Sequence, residues 1–394
     1  MQDDKPAAAH VADTRPSLIL LYTTVFLDLL GFGLILPFLP FWAETLGASG
    51  FELGLLLTVY SAAQMIGAPL WGRLSDRFGR RPVLLTSIGG ACIGLILSGL
   101  APNLVLLTIV RAGAGLFASS TSTAQAYAAD VTDRSQRPKA MGMIGASIGL
   151  GFVVGPAMGA ALQSLLDFSF AQAAFTAAGL ASINFLSAIF FLREPARHHP
   201  QTPNAEEQGD GSTTKAWPVL VAIFLGMFAF VSMETTFAYY GGARFGLGTA
   251  GFGGVLAFVG LVLIIVQGGL IRPLAKLGVR RVAACGVALM GTALLLLPAA
   301  PTLGWTFLPL GVLAFGRGLT SPTLATILSE TAGTTAHGKA LGTGQSVGAA
   351  ARAVGPVTAG ALYDLSAALP YYVAGGLALV AALVVVILIP DSSD

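Results

Sequence analysis

Charge is what this sequence has least of. Only 10% of its 394 residues are Asp, Glu, Lys or Arg, while 55% are hydrophobic and the mean hydropathy is +0.78. Soluble domains carry about 25% charged residues, so a water-solvated globule is excluded. The formal net charge of +2 is too small and too scattered for a nucleic-acid partner. Cysteine is nearly missing as well. Cys92 and Cys285 both lie inside apolar runs and read as small packing residues, with no disulfide framework and no metal set. Histidine is confined to His10, His198, His199 and His337, all in tail or loop segments, and no H-E-x-x-H occurs. No Gly-x4-Gly-Lys-[Ser/Thr] is present either. The chain is therefore expected to be neither an intramembrane metalloenzyme nor an ATP-driven pump, and to need no cofactor. No cleavable signal is evident: the first apolar run is too long for a signal core and contains an aspartate.

What the chain has instead is apolar runs. They fall near 17–42, 51–72, 82–101, 103–126, 138–163 and 171–192, then near 217–240, 250–272, 282–300, 304–328, 339–363 and 370–390. A membrane helix needs about 20 mostly apolar residues, so these runs predict an all-α integral membrane protein of twelve transmembrane helices. Residues 1–16 and 391–394 read as tails. The stretch 193–216 is rich in Gln, Asn, Glu, Gly, Ser and Thr and reads as a soluble linker. It separates an expected six-helix bundle over 17–192 from a second over 217–390.

Orientation follows from the basic residues. With odd helices running from inside to outside, every Lys and Arg except Arg111, Arg244, Arg317 and Arg352 falls in a cytoplasmic segment. The positive-inside rule then places both termini and the linker in the cytoplasm, with the chain in the inner membrane. The two halves also repeat. Asp130 to Gly159 aligns without a gap with Glu330 to Ala359: Lys139-Ala140-Met141-Gly142 matches Lys339-Ala340-Leu341-Gly342, and Gly155-Pro156 matches Gly355-Pro356. Parallel repeats of this kind are related by an axis along the membrane normal, and transporters built from them bind substrate at the repeat interface near the midplane.

The densest charge lies in Gly72-Arg73-Leu74-Ser75-Asp76-Arg77-Phe78-Gly79-Arg80-Arg81-Pro82, between the second and third runs. It resembles the signature loop of the major facilitator superfamily, G-x-L-a-D-r-x-G-r-[RK]. The resemblance implies that Gly72, Asp76, Arg77, Gly79 and Arg80 form a latch holding the two halves in an outward-open state. Asp130, Arg134 and Arg137, at the end of the fourth run and just after it, are candidate partners. The plainer alternative is a solvated turn that fixes topology only.

Charges inside a membrane helix cost about 2.5–3.5 kcal/mol each, so they are read as functional first. Asp28 lies about 17 Å into the first run at 1.5 Å per residue, with Gly31, Gly33, Pro37 and Pro40 following it. It is a candidate proton carrier, or else a structural carboxylate locked by hydrogen bonds or an arginine. Arg111 stays charged at any accessible pH and needs an anion or carbonyl oxygens around it; Asp28 is one candidate partner. Its setting resembles the fourth-helix motif of the same superfamily, whose arginine is associated with proton transfer, although the usual glutamine is Ala114 here and a later glycine is Phe117. Glu234 is a candidate for proton coupling or for holding a cationic substrate, against a wet rim residue. Arg317 and Arg352 are candidates for an anionic substrate group or for pairing with Glu234, against capping of carbonyls. Gln125, Gln267 and Gln345 are tentative cavity residues; they, like Gln64 and Asn184, serve equally well as glue between helices.

Gly142, Gly151, Gly155, Pro156 and Gly159 lie along the fifth run. Glycines four residues apart let another helix approach closely. The spacing resembles the fifth-helix motif of the drug/proton antiporters, with Ala160 in place of its last glycine, and the resemblance implies exchange of a drug for a proton. The segments 124–132 and 243–246 are similar to the tetracycline/proton antiporters. Two features of that group are missing: a histidine in the eighth run near Leu263, and an acid in the ninth. The expectation is a monomeric secondary transporter that exports a small amphipathic compound against protons by alternating access. The alternatives are a proton symporter or facilitator for a metabolite, and a lipid or lysolipid transporter of the same fold. An intramembrane enzyme or a binding-only protein has little in its favour.

Overall fold

The computed structural model describes residues 18–133, 135–195, 216–331 and 333–389. The expected tails 1–16 and 391–394, and the linker over 196–215, lie outside the described residues, as does Arg134. Twelve long helical segments and no strand occur among the described residues. They are α1 (Leu18–Thr45), α2 (Gly50–Phe78), α3 (Arg80–Gly99), α4 (Leu104–Val131), α5 (Arg137–Leu166), α6 (Phe170–Phe191), α7 (Trp217–Phe245), α8 (Thr249–Leu270), α9 (Val279–Ala299), α10 (Leu303–Thr331), α11 (Gly333–Leu365) and α12 (Leu369–Leu388). Ten of them are long and apolar enough to cross a membrane. The other two, α10 and α11, are 29 and 33 residues long and carry Arg317 and Arg352 among many Gly, Ser and Thr.

Local signals account for the tight connections. Ser49 and Glu52 form a reciprocal cap that starts α2, and Ser169 and Gln172 do the same for α6. The Asn103 side chain accepts from the Leu106 amide at the start of α4. The charged segment between α2 and α3 is less of a loop than its composition predicts. Helix α2 runs on through Arg73, Asp76 and Arg77 to Phe78, and α3 begins at Arg80. Gly79 alone breaks the two helices apart, at a φ of 111° that side-chain-bearing residues rarely adopt.

Three of the helices are irregular. Helix α1 is interrupted at 36–37, where Pro37 sits. Helix α4 breaks at 118–119, and α8 widens into a π-turn over Val266–Leu270. In lipid an open backbone survives only when protein groups satisfy it, and at the α4 break they do. Gln64 donates to the Ala118 carbonyl at 3.0 Å, Trp71 to Leu116 at 2.6 Å and the Ser87 hydroxyl to Phe117 at 2.5 Å, while the Ser119 amide donates back to Ser87 at 3.1 Å.

The first six helices pack chiefly on one another, and so do the last six; the main bridges between them are α2 with α11 and α5 with α8. Both bridges are tightest at the end opposite the charged α2–α3 junction. There Gly54 meets the Pro356 backbone and Gly50 meets Gly360 too closely for any side chain, and a Cβ on Gly253 of α8 would lie 2.8 Å from the Pro356-equivalent carbonyl of α5, that of Pro156. Toward the charged end the helices part. Gly149 of α5 still faces Ile264 of α8, but Gly145 and Gly142, one and two turns further along the same face, have no neighbour within 4 Å. A cleft therefore opens between the two sets of helices at the charged end and is closed at the far end.

Candidate functional site

Five charged side chains lie deep in the helices that border this cleft, about 15–30 Å from the charged end at 1.5 Å per residue: Asp28, Arg111, Glu234, Arg317 and Arg352. They fall into two groups.

The first group surrounds Asp28. Its carboxylate accepts a short hydrogen bond from the hydroxyl of Ser120, the residue that restarts α4 after its break. One turn before Asp28, the Thr24 carbonyl accepts from Asn184 of α6 at 3.0 Å. One turn after it, Phe32 stacks on Tyr60 of α2 with ring centroids 5.5 Å apart. Arg111 is buried against those two rings, 4.4 Å from the Tyr60 centroid and 5.7 Å from that of Phe32. It makes no ion pair among the described residues, and its Nε has no hydrogen-bond partner. In place of the candidate partners, Asp28 or carbonyl oxygens, Arg111 is a cation held on aromatic faces. Tyr60 lies within electrostatic reach of both charges.

Helix α1 is seated by the glycine stripe of α5. Gly151 faces Leu29 and Leu30, Gly155 faces Gly33, and Gly159 faces Leu34. A Cβ on Gly155 would lie 2.8 Å from the Leu30 carbonyl oxygen and 2.8 Å from the Gly33 Cα; one on Gly33 would lie 3.0 Å from the Pro156 ring. The close approach expected of the fifth-helix glycines therefore fixes the very turns of α1 that follow Asp28. Gly142 is not part of this contact: it lies in the open part of the cleft.

The second group is carried by α7, α10 and α11. Met227, Phe230 and Glu234 form one stripe of α7, at spacings of three and four residues. Arg317 reaches this stripe from α10, with Nη2 3.4 Å from the Met227 sulfur and the guanidinium 5.7 Å from the Phe230 ring. Gly348 of α11 faces the same methionine, whose methyl would lie 3.8 Å from a Cβ there, and Arg352 lies one turn further along that helix. Glu234 consequently sits in the field of Arg352 and, more weakly, of Arg317. All three are half-buried, and among the described residues they form no ion pair or hydrogen bond with one another.

The glutamines divide by role. Gln64 supports the α4 break, whereas Gln125, Gln267 and Gln345 are exposed. Gln345 lies on the same stripe of α11 as Gly348 and Arg352, and Gln267 lies in the π-turn of α8.

At the charged end, Arg80 ties the α2–α3 junction together. Its guanidinium donates to Asp130 at 2.7 Å, to Asp76 at 2.7 Å and to Ser75 at 3.0 Å. Glu194, just after α6, accepts from the backbone amides of Arg80 and Arg81 at 2.6 and 2.9 Å and so caps α3, where a helix N-terminus favours negative charge. Gly79 is needed here twice over, because a Cβ would meet the Glu194 carboxylate. Arg77 lies over the Phe78 ring, and Gly72 faces open space. Among the described residues, the side chains of Asp76, Arg80 and Asp130 bond only within the first six helices, as befits a junction whose end of the molecule is open.

Three contributors escaped the sequence reading: Ser120, Glu194 and Asp364. Asp364, at the end of α11, accepts from the amides of Gly50 and Phe51 at 2.7 and 2.8 Å and caps α2 across the closed far end. A separate apolar pocket of about 710 Å³ opens between α3 and α4 on the flank, lined by Ile93, Leu97, Ile109, Phe117 and neighbours. It holds none of the five charges and abuts the outer side of the α4 break.

Comparison with known proteins fits this geometry. The Major Facilitator Superfamily profile matches residues 21–342 and, in a second stretch, 273–394. The chain belongs to the major facilitator superfamily. Similar proteins include the class G tetracycline resistance protein of Vibrio anguillarum, 33% identical, with 90% of this chain and 92% of that protein covered. Multidrug resistance protein 2 of Bacillus subtilis (strain 168) is 27% identical, with 93% of each chain covered. Among solved structures, a bacterial homologue of the human lysosomal transporter Spinster, in an inward-facing and occupied conformation, superimposes with a TM-score of 0.75 at 14% identity over 94% of each chain. The all-helical superfamily fold read from the runs and the signature segment is thus confirmed, and the protein is an integral multi-pass membrane transporter.

Proposed function

We propose that this superfamily member is a proton-coupled antiporter that exports small amphipathic compounds, with Asp28 as its proton carrier. The observation that carries the reading is the setting of Asp28: a carboxylate deep in the membrane, bonded to the residue at which α4 restarts and mounted on a helix seated by the α5 glycine stripe. Its relatives named for tetracycline and multidrug resistance support the cargo class. The missing eighth-helix histidine and ninth-helix acid argue for a different amphiphile from tetracycline itself.

Charged Asp28 accepts the Ser120 hydroxyl; once protonated, its own hydroxyl becomes a donor and the bond must rearrange. Ser120 opens the α4 segment Ser120–Val131, and Asp130 near its other end is the partner of Arg80. This rigid rod of about 15 Å links the proton site to the charged junction. Protonation at one end is thereby transmitted to the latch residues Asp76, Arg77, Gly79 and Arg80 at the other. Arg111, held on Tyr60 and Phe32, supplies a fixed positive charge that favours return of the proton to solvent once the cleft reopens.

On the positive-inside reading the open end faces the cytoplasm, with both termini and the segment 193–216 on that side of the inner membrane and bundles over 17–192 and 217–390 rocking about the cleft. In the arrangement seen here, cargo enters from the cytoplasm. One proton crossing down a gradient of about 1 pH unit and 100 mV supplies about 3.7 kcal/mol, enough for a roughly 500-fold concentration ratio of a neutral cargo. The chain works as a monomer, makes or breaks no covalent bond in its cargo and calls for no nucleic-acid partner. Purified protein in liposomes with an internal pH dye tests the proposal. With the lumen made acidic, amphiphiles added outside should evoke proton release from the lumen; cargo flux indifferent to the gradient would replace antiport by facilitation.

A further inference from the structure

Arginines elsewhere in this chain show what a structural arginine looks like here. Arg81 donates to the Ile189 carbonyl at 2.6 Å, Arg280 donates to Val385 and Val386 of α12, and Arg244 donates to the Tyr240 hydroxyl and the Pro298 carbonyl. Each donates to oxygen acceptors, and Arg111, which has none among the described residues, is closed off from the cleft at 3% exposure between the Tyr60 and Phe32 rings. Arg317 and Arg352 are different. Among the described residues Arg317 donates only to the Met227 sulfur, a weak acceptor, beside the Phe230 ring, and Arg352 has no hydrogen bond to any of them. Both are half-buried beside the cleft, at a depth where an unpaired charge is costly. Their one internal anion is Glu234, near but unbonded.

The charge count points the same way. The cleft holds Arg111, Arg317 and Arg352 against Asp28 and Glu234, so it is positive by one with both acids ionised and by three with both protonated. A cationic cargo meets repulsion in every protonation state. Because guanidinium groups favour forked binding of carboxylate and phosphate, and because the half-buried Met227 and Phe230 give the stripe apolar surface, the matching ligand has an aromatic or aliphatic body and a compact anionic head. We infer that the cargo is an amphipathic anion whose carboxylate, phenolate or sulfonate head is held by Arg317 and Arg352, with Glu234 as the internal counter-ion that it displaces. The inference deepens the antiport reading by naming the charge of its substrate. Gln345, on the stripe of α11 that carries Arg352, is placed to line the same subsite nearer the cleft mouth.

The test uses the full chain in nanodiscs and three probes that share one ring system: 2-naphthylacetate, 2-(2-naphthyl)ethylammonium and 2-(2-naphthyl)ethanol. Calorimetric dissociation constants should rank the anion tightest. Because hydrogen bonds to charged groups are the strong ones, Arg317→Gln with Arg352→Gln should weaken the anion by about tenfold or more and leave the alcohol within about twofold. Glu234→Gln, which removes the competing carboxylate, should tighten the anion about threefold or more. The ammonium binding tightest in wild type, or an anion affinity indifferent to the two arginines, overturns the assignment, and the wild-type ranking decides it even if the double variant does not fold. Proton release separates this outcome from that of antiport. Release evoked by the ammonium alone would sink the anion site and keep antiport, whereas tight anion binding with no proton movement would keep the site and sink antiport.

Discussion

The charged groups of the first six helices and those of the last six make an instructive pair. In the first set each charge is already committed: Asp28 to Ser120, Arg111 to the rings of Tyr60 and Phe32. In the second set Glu234, Arg317 and Arg352 converge on one stripe of α7; among the described residues Glu234 and Arg352 make no ion pair or hydrogen bond, and Arg317 bonds only to the Met227 sulfur. A committed acid beside a helix break suits a device that changes state when it gains a proton. Uncommitted arginines beside apolar surface suit a device that waits for a ligand. A repeat that began as two similar halves has, on this account, divided the work of coupling from the work of recognition.

The largest expected effect breaks the comparison on the coupling side. Asp28→Asn should abolish gradient-driven accumulation of cargo, a loss of at least about 100-fold given the roughly 3.7 kcal/mol a proton supplies, measured as tracer uptake into energised inverted vesicles. Next comes the seat of Asp28. Gly155→Val should push α1 off α5, because even a Cβ at 155 meets the Leu30 carbonyl and Gly33 at 2.8 Å. Overpacking of this kind costs about 1–3 kcal/mol and should appear as a lowered unfolding temperature together with lost transport. Gly142→Val, where nothing lies within 4 Å, should leave the unfolding temperature unchanged.

Smaller effects sharpen the contrast between the two ends. Arg80→Ala removes the ties to Asp130 and Asp76 and should shift the balance of open and closed forms by about 1 kcal/mol, roughly fivefold, read as altered cysteine labelling along the α2–α3 junction. Asp364→Asn weakens the cap on α2 across the far end. A charge at a helix N-terminus is worth about 0.3–1 kcal/mol, so spin labels at 45 and 366 should report a modest rise in far-end opening.

Much of this was legible in the amino-acid order. The twelve segments lie within a few residues of the apolar runs, because lipid demands long unbroken apolar helices and leaves little choice of boundary. Asp28 and the α5 glycines stood out for the same reason, each being costly or purposeless in lipid unless used. The partners were not legible. Ser120 is one of several serines and threonines around the α4 break, and nothing local marks it as the donor to Asp28. Glu194 falls in the stretch read as a linker and Asp364 just past the eleventh apolar run, and capping a helix from another part of the chain leaves no pattern in sequence. Arg111 is a different case: its charge called for an anion or carbonyl oxygens, and the fold supplies aromatic faces.

The most direct test of the account is lumenal pH in proteoliposomes carrying wild type or Asp28→Asn, with cargo exchange followed in parallel by tracer. The account predicts cargo-evoked proton release in wild type and none in Asp28→Asn, while downhill exchange of cargo continues in both. Undiminished proton release by Asp28→Asn would contradict it and move the carrier to another residue.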